Sequence, residues 1–283
     1  MIIEPSIEKT RSAIHSWKEK GETIGLVPTM GYFHDGHLAL MKQCRENADR
    51  TVVSIFVNPT QFGPSEDLDT YPRDFEGDRR KAHDVGVDLI FCPEADTMYG
   101  ENHRTSVTVS ELSERLCGAD RPVHFSGVAT IVSKLFNITD PHYAFFGEKD
   151  FQQLTIIKQL VHDLNFPITI VGVPIVREQD GLAMSSRNAY LSAPERSEAI
   201  VLYRALSTIR NEVVENGKTD SVALLAKGRA LIDASQPCTI DYLSIVDERT
   251  LKPQESVINK CRVLGAIKVN ERIRLIDNLA LYG

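Results

Sequence analysis

The chain lacks a long apolar run, a paired-cysteine pattern and a surplus of positive charge. Its longest strongly apolar stretch, Ile168 to Val176, is too short to span a bilayer and contains Pro174. The five cysteines, Cys44, Cys92, Cys117, Cys238 and Cys261, are scattered, odd in number and free of any Cys-x-x-Cys pair, which argues against a disulfide framework and fits a reducing cytosol. Met1-Ile2-Ile3-Glu4-Pro5 has no basic stretch leading into an apolar core, so no signal peptide is expected. Lys plus Arg total 32 against 39 Asp plus Glu, a formal net charge of -7 that argues against nonspecific nucleic-acid binding without excluding a local basic patch. Two nucleotide signatures are also missing. Neither Gly-x-x-x-x-Gly-Lys-Ser/Thr nor Gly-x-Gly-x-x-Gly after a strand occurs, so P-loop chemistry and dinucleotide redox chemistry lose ground.

What remains is an ordinary soluble composition, 42% hydrophobic and 25% charged over 283 residues, enough for one large or two modest domains. The first two thirds alternate between strand-like and helix-like segments. Strands are expected at 24–28, 51–57, 89–92, 144–146 and 168–173, and helices at 6–20, 37–48, 73–84, 128–138 and 151–164. This is the pattern of an α/β, Rossmann-like parallel sheet wrapped by helices, with right-handed crossovers. After Pro174 the character changes. Amphipathic helices at 194–215 and 221–234, then strands at 240–246, 262–269 and 273–276, predict a smaller α+β C-terminal domain, placing the division at 1–175 and 176–283.

The most informative segment is Pro28-Thr29-Met30-Gly31-Tyr32-Phe33-His34-Asp35-Gly36-His37. It joins the end of an apolar strand to the start of a helix, where ligands bind in open parallel sheets and where helix N–H groups favour an anion. Gly36 lets the backbone approach a ligand, while His34 and His37 supply donors to phosphate oxygens without any need for metal. The alternative is a helix cap bearing two incidental surface histidines. The later turn Gly181-Leu182-Ala183-Met184-Ser185-Ser186-Arg187-Asn188 offers two hydroxyls and a guanidinium that could close over β- and γ-phosphates. Together the two segments resemble the nucleotidyl-transferase superfamily that includes class I aminoacyl-tRNA synthetases.

Three further groups emerge at expected strand ends. Asn58 and Gln61, in Val57-Asn58-Pro59-Thr60-Gln61-Phe62, could hold a hydroxyl and a carboxylate, or simply form an Asn-Pro turn. In Phe146-Gly147-Glu148-Lys149-Asp150, Lys149 offers a cation for phosphate and Asp150 suits the first turn of the helix carrying Gln152 and Gln153. Glu76-Gly77-Asp78 could approach a nucleotide-borne Mg²⁺ or form a solvated helix face. His124 is compatible with a partly buried hydrogen-bonded role or with substrate contact. No chemistry is assigned to His15, His83, His103, His142 or His162.

In order and spacing these motifs, with Ser54-Ile55-Phe56-Val57-Asn58-Pro59 and Tyr71-Pro72-Arg73, resemble the pantoate:β-alanine ligase family nearly end to end. The resemblance implies ATP-dependent joining of pantoate to β-alanine through a pantoyl-adenylate, with release of pyrophosphate and then AMP. It assigns ATP contact to Met30, Gly31, His34, His37, Gly147, Glu148, Lys149, Asp150, Val176, Met184, Ser185, Ser186 and Arg187. His37, His34, Lys149, Ser185, Ser186 and Arg187 would be the catalytic set around the phosphates. Gln61, Gln153 and Asn58 would serve pantoate, Gln61 also touching β-alanine, and Asp78 is the metal-associated candidate for Mg²⁺. A cytosolic homodimer with a hinged C-terminal domain closing over ATP is also implied, with no nucleic-acid or membrane partner. The chain departs from the family pattern at Val123, where Arg-Pro-Gly-His-Phe is expected, at Phe33, where leucine is usual, and at Gly77, where relatives can carry an extra acid. Two other readings compete: a nucleotidyl transferase acting on a different acid or a phosphorylated alcohol, and a nucleotide-sensing module that binds ATP without turnover.

Overall fold

The computed structural model describes residues 1–64, 66–258 and 260–282. In chain order the first part runs β1 (Ile2–Glu4), α1 (Ile7–Lys18), β2 (Ile24–Thr29), α2 (Asp35–Asn47), β3 (Arg50–Ile55), α3 (Phe75–Val85) and β4 (Leu89–Phe91). It continues with α4 (Ala95–Met98), α5 (Cys117–Asp120), α6 (His124–Thr139), β5 (Tyr143–Gly147), α7 (Phe151–Asp163) and β6 (Thr169–Val173). The six strands form one parallel sheet in the order β1-β4-β3-β2-β5-β6. From β2 the chain winds outward through β3 and β4 on one side and through β5 and β6 on the other. The switch point of the sheet therefore lies between β2 and β5, whose carboxyl ends are Thr29 and Gly147.

Ile24, Leu26 and Val27 of β2 are each 0% exposed, as expected for a parallel strand covered on both faces. On one face Val27, Val53, Ile90 and Phe145 pack with Leu40, Met41 and Cys44 of α2 and Ala82 of α3. Burial keeps the Cys44 thiol protonated, pushing it up to about 12.

The remainder comprises α8 (Ala193–Ala199), α9 (Val201–Val214), α10 (Ser221–Asp233) and an antiparallel sheet of β7 (Cys238–Asp247), β8 (Cys261–Val269) and β9 (Ile273–Ala280). Helix α9 buries Leu202, Leu206, Ile209 and Val213 at helical spacing in a core shared with Leu224, Leu243, Val263, Ile267 and Leu275. By their contacts, residues Arg115–Cys117 and Lys149–Thr155 group with this second unit, and the rest up to Pro174 with the first.

Three expectations need correction. Strand β1 went unrecognised because three residues with exposed Ile2 and Ile3 make too short a pattern. The single amphipathic segment at 194–215 is two helices divided at Ile200. Strand β9 runs on to Ala280 because Asp277 and Asn278, which interrupt its apolar pattern, are buried in polar networks of their own.

Candidate active site

The turn after β2 is held in an unusual backbone shape. Gly31 has φ +87° and Tyr32 φ +54°, two successive residues in the left-handed region, where only glycine is unstrained. Asp78, in the first turn of α3, holds this shape: its two carboxylate oxygens accept the N–H groups of Tyr32 at 2.7 Å and Phe33 at 2.6 Å. Lys81, one turn further along α3, donates to the Phe33 carbonyl at 2.6 Å. A Cβ on residue 31 would lie 3.0 Å from Asp78 Oδ2, so glycine serves both the angle and the approach. Asp78 is 2% exposed, which overturns the solvated-face reading for that residue, whereas Glu76 is exposed and pairs with Arg79 on the helix surface. Burial pushes its carboxyl up, while the Phe33 and Tyr32 N–H groups and Lys81 pull it down.

The two histidines follow directly. His34 precedes the first turn of α2, and its Nδ1 accepts from the Gly36 N–H at 3.1 Å. His37 Nδ1 accepts from the His34 N–H at 3.3 Å. Each neutral ring thus spends Nδ1 as an acceptor, which places its proton on Nε2. The ring centroids are 4.1 Å apart. The cap is thus present, and in a neutral ring it selects the tautomer that carries its proton on Nε2. Phe33, in place of the usual leucine, is 2% exposed and packs in the sheet core.

After β3, Asn58 precedes a short 3₁₀ turn, Pro59–Gln61, and Gln61 ends it. Asn58 makes no capping bond to that turn. Its Nδ2 donates instead to Gln61 Oε1 and to the Gly127 carbonyl, both at 3.1 Å, and its Oδ1 accepts from Tyr99 at 2.8 Å. His124 Nδ1 lies 2.9 Å from the Gln61 carbonyl, and Arg121 donates to the same oxygen at 3.4 Å while pairing with Glu66. His124 is thus a hydrogen-bonded, half-buried residue at the head of α6, supporting Gln61. Val123 is 52% exposed with φ -90°, so its position makes no demand for the expected glycine.

Within the second unit, a small cleft brings Lys149 and Ser185 together with Asn188, Tyr203 and Asp277. Asn278, 1% exposed, donates from Nδ2 to the Lys149 carbonyl at 3.0 Å and accepts at Oδ1 from Arg262 at 2.6 Å. Arg177 forks onto Asp277 at 2.6 and 2.8 Å and stacks over Tyr203 at 4.4 Å. Burial pushes the Asp277 carboxyl up, against the pull of Arg177 and the Asn278 N–H. The Val176 carbonyl accepts from Met184 N–H at 3.0 Å, and Ser185 caps the 3₁₀ turn Ser186–Tyr190 by accepting from Arg187 N–H at 3.3 Å. Asp150 lies beside Lys149, its carboxylate 3.7 Å from Nζ. Gln152 is structural, bridging the Cys117 N–H and the Arg115 carbonyl, while the adjacent Gln153 is half-buried.

The expected residues therefore divide. Met30, Gly31, His34, His37, Asn58, Gln61, Asp78, Gly147 and Glu148 belong to the first unit, and Lys149, Asp150, Gln153, Val176, Met184, Ser185, Ser186 and Arg187 to the second. Sequence reading missed Lys81, Tyr99, Arg177, Arg262, Asp277 and Asn278, whose roles come from contacts far along the chain. The only available signal was the pair of polar residues interrupting β9. Among the described residues no three His, Cys, Asp or Glu side chains are grouped to hold a metal, and no helix is long and apolar enough to cross a membrane.

Residues 2–280 match the family model for pantoate–β-alanine ligase. The pantothenate synthetase of Desulfotalea psychrophila is 52% identical over 98% of both chains, and that of Heliobacterium modesticaldum 53% over 99% of both. Among solved structures, pantothenate synthetase from Thermus thermophilus superimposes with a TM-score of 0.95 at 45% identity over the whole of both chains. The pantoate–β-alanine ligase of Francisella tularensis, solved with β-γ ATP and β-alanine, gives 0.82 at 33% identity over 100% of this chain and 98% of that one. Coverage and identity of this order settle the family, and the chain is an enzyme belonging to the pantoate–β-alanine ligases.

Proposed function

We propose that the chain condenses pantoate with β-alanine at the expense of ATP through a pantoyl-adenylate, as one step of pantothenate biosynthesis. The observation that carries this reading is the pair of imidazoles whose Nδ1 atoms are consumed by capping, so that two Nε2–H donors stand at a helix N-terminus on the switch point of a parallel sheet. A carboxylate is a poor electrophile; its anhydride with AMP has a good leaving group. A pantoate carboxylate oxygen attacks the α-phosphorus, the bond to the β-phosphate oxygen breaks, and pyrophosphate leaves. The β-alanine amine then attacks the acyl carbon, loses a proton, and expels AMP.

On this reading His37 and His34 donate to oxygens of the α-phosphate as its charge redistributes. Lys149, Ser185, Ser186 and Arg187 take the β- and γ-phosphates, with Met30, Gly31, Gly147, Glu148, Asp150, Val176 and Met184 completing ATP contact. The complex of the Francisella relative with β-γ ATP and β-alanine supports both ligand classes. Gln61 and Gln153 orient pantoate, and Asn58 orients Gln61. Mg²⁺ would arrive with ATP, held mostly by phosphate and water, since such an ion needs few protein carboxylates. Asp78 has both oxygens on backbone N–H groups, which fits a holder of the turn better than a direct ligand. Membership of the family supports a cytoplasmic homodimer, and light scattering on the purified protein tests the dimer.

The test is pyrophosphate release from ATP, Mg²⁺ and pantoate, with and without β-alanine, following AMP and acyl-adenylate by mass. Pyrophosphate and pantoyl-adenylate without β-alanine, then AMP and pantothenate on its addition, are expected. ATP binding without pyrophosphate would return the sensor reading; activation of another acid would keep the chemistry and overturn the substrate.

A further inference from the structure

We infer that Tyr99, assisted by Thr60, is a positioning residue that holds Asn58, and through it the Gln61 amide, with the Gln61 nitrogen turned to the hydroxy-acid substrate; the inference rests on the assignment of Gln61 to pantoate. One acceptor in the network has no choice of role. The Gly127 carbonyl can only accept, and Asn58 lies 3.1 Å from it, so Asn58 must present its Nδ2 there. The second proton of that amide reaches Gln61 Oε1 at 3.1 Å. Gln61 therefore turns its Nε2 away from Asn58, toward Met30 Sδ at 3.2 Å. Sulfur is a weak acceptor, so a carboxylate or hydroxyl oxygen arriving there is the better partner.

The arrangement leaves Asn58 Oδ1 facing the other way in a residue 1% exposed, where an unpaired acceptor is costly. Two hydroxyls meet it: Tyr99 at 2.8 Å and Thr60 at 3.0 Å. The alternative state rotates Asn58 so that Oδ1 opposes the Gly127 carbonyl, and Gln61 then presents Oε1 to the substrate. Such a glutamine repels a carboxylate. The Gly127 carbonyl selects the donor-out state, the hydroxyl pair holds Asn58 in it by donating to Oδ1, and the absence of a side chain at Gly127 permits it sterically. A Cβ there would sit 2.5 Å from the Thr60 carbonyl oxygen and 2.7 Å from Gln61 Cα, forcing α6 away from the turn. Burial, offset in part by the Thr60 and Asn58 contacts, pushes the Tyr99 phenol up, so it remains a donor at neutral pH.

The test compares Tyr99→Phe, Thr60→Val and the double variant in steady-state adenylation, with KM for pantoate and for ATP measured separately and Tm recorded. Losing one such neutral hydrogen bond is expected to raise KM for pantoate by about 5-fold, and losing both by about 20-fold or more, with KM for ATP within about 2-fold of the parent. Tyr99→Phe made in a Gln61→Ala background is expected to change KM for pantoate by less than about 2-fold, because the effect travels only through Gln61. An unchanged pantoate KM in the double variant overturns the relay. So does an equal penalty with and without Gln61, or a matched rise in both KM values with a fall in Tm, since these mark a general packing role. A parent enzyme that releases no pyrophosphate with pantoate overturns the substrate assignment itself, a result separable from any of these.

Discussion

The turn carrying His34 and His37 and the turn carrying Ser185 to Arg187 serve one chemistry on this reading, yet different forces hold them. The first is gripped from α3 by a carboxylate that is 2% exposed and a lysine, both acting on the backbone at Tyr32 and Phe33. The second is tied at its edge by Arg196, which pairs with Glu178 and Asp180, groups whose side chains are 35% and 47% exposed, and by Arg177, which donates to the Gly181 carbonyl at 2.9 Å while forking onto buried Asp277. Buried charge-assisted bonds to backbone fix geometry strongly, whereas half-exposed ion pairs contribute little and weaken with salt. The contrast teaches that the histidine turn is held directly through its own backbone N–H groups, while the ion pairs beside the serine and arginine turn act on the chain that leads into it, at 177–181.

The sharpest break of this comparison is His37→Ala. Removal of one preorganised donor is expected to lower the single-turnover adenylation rate by roughly 10²-fold or more, and a normal rate would remove His37 from the mechanism. Next comes Asp78→Asn, which leaves one backbone N–H facing an amide donor instead of an acceptor. A loss of about 2–3 kcal/mol in denaturant stability is expected, with adenylation falling in the folded fraction. Retention of both would show that the turn holds its shape unaided.

In the second unit the strongest constraint is Gly181, with φ +98° and a Cβ position 2.2 Å from the Tyr203 ring. Gly181→Ala is expected to cost about 1–3 kcal/mol and to disturb ATP binding through the neighbouring turn; equilibrium unfolding and ATP titration check both. Arg196→Ala is expected to cost no more than about 1 kcal/mol and to lose that effect in high salt.

The smallest effect concerns pH. Glu195 accepts from the Ser192 N–H and hydroxyl, from Asn270 and from Arg272, and these hold its carboxyl down from 4.5 to about 2. The unfolded chain therefore takes up this proton before the folded one does. The stabilisation is complete above pH 4.5 and is lost as pH falls toward about 2. Glu195→Gln is expected to lower the unfolding midpoint at neutral pH and to match the parent near pH 2; a constant gap would assign the effect elsewhere.

Much of the architecture was legible because parallel strands buried on both faces read as apolar runs, bounded by turns rich in glycine. The positions of His34, His37, Asn58 and Gln61 at strand ends followed from the same alternation. What could not be read were contacts between residues distant in the chain. Asp78 looked like one more acid on a charged helix, and only its position against Tyr32 and Phe33 shows that it is buried. Likewise Asn278 lay beyond the strand expected at 273–276, although its side chain donates to the Lys149 carbonyl 129 residues away. Tyr99 follows a four-residue helix with no motif of its own, and its bearing on Asn58 comes from tertiary structure alone.

The most direct test of the account is to supply pantoate carrying ¹⁸O in both carboxylate oxygens, with ATP, Mg²⁺ and β-alanine, and to weigh the AMP produced. Attack by the carboxylate on the α-phosphorus, followed by cleavage of the acyl carbon–oxygen bond, predicts one ¹⁸O in every AMP and one in the pantothenate amide carbonyl. AMP without the label, alongside labelled pantothenate, would contradict an adenylate and with it the role given to the two imidazoles.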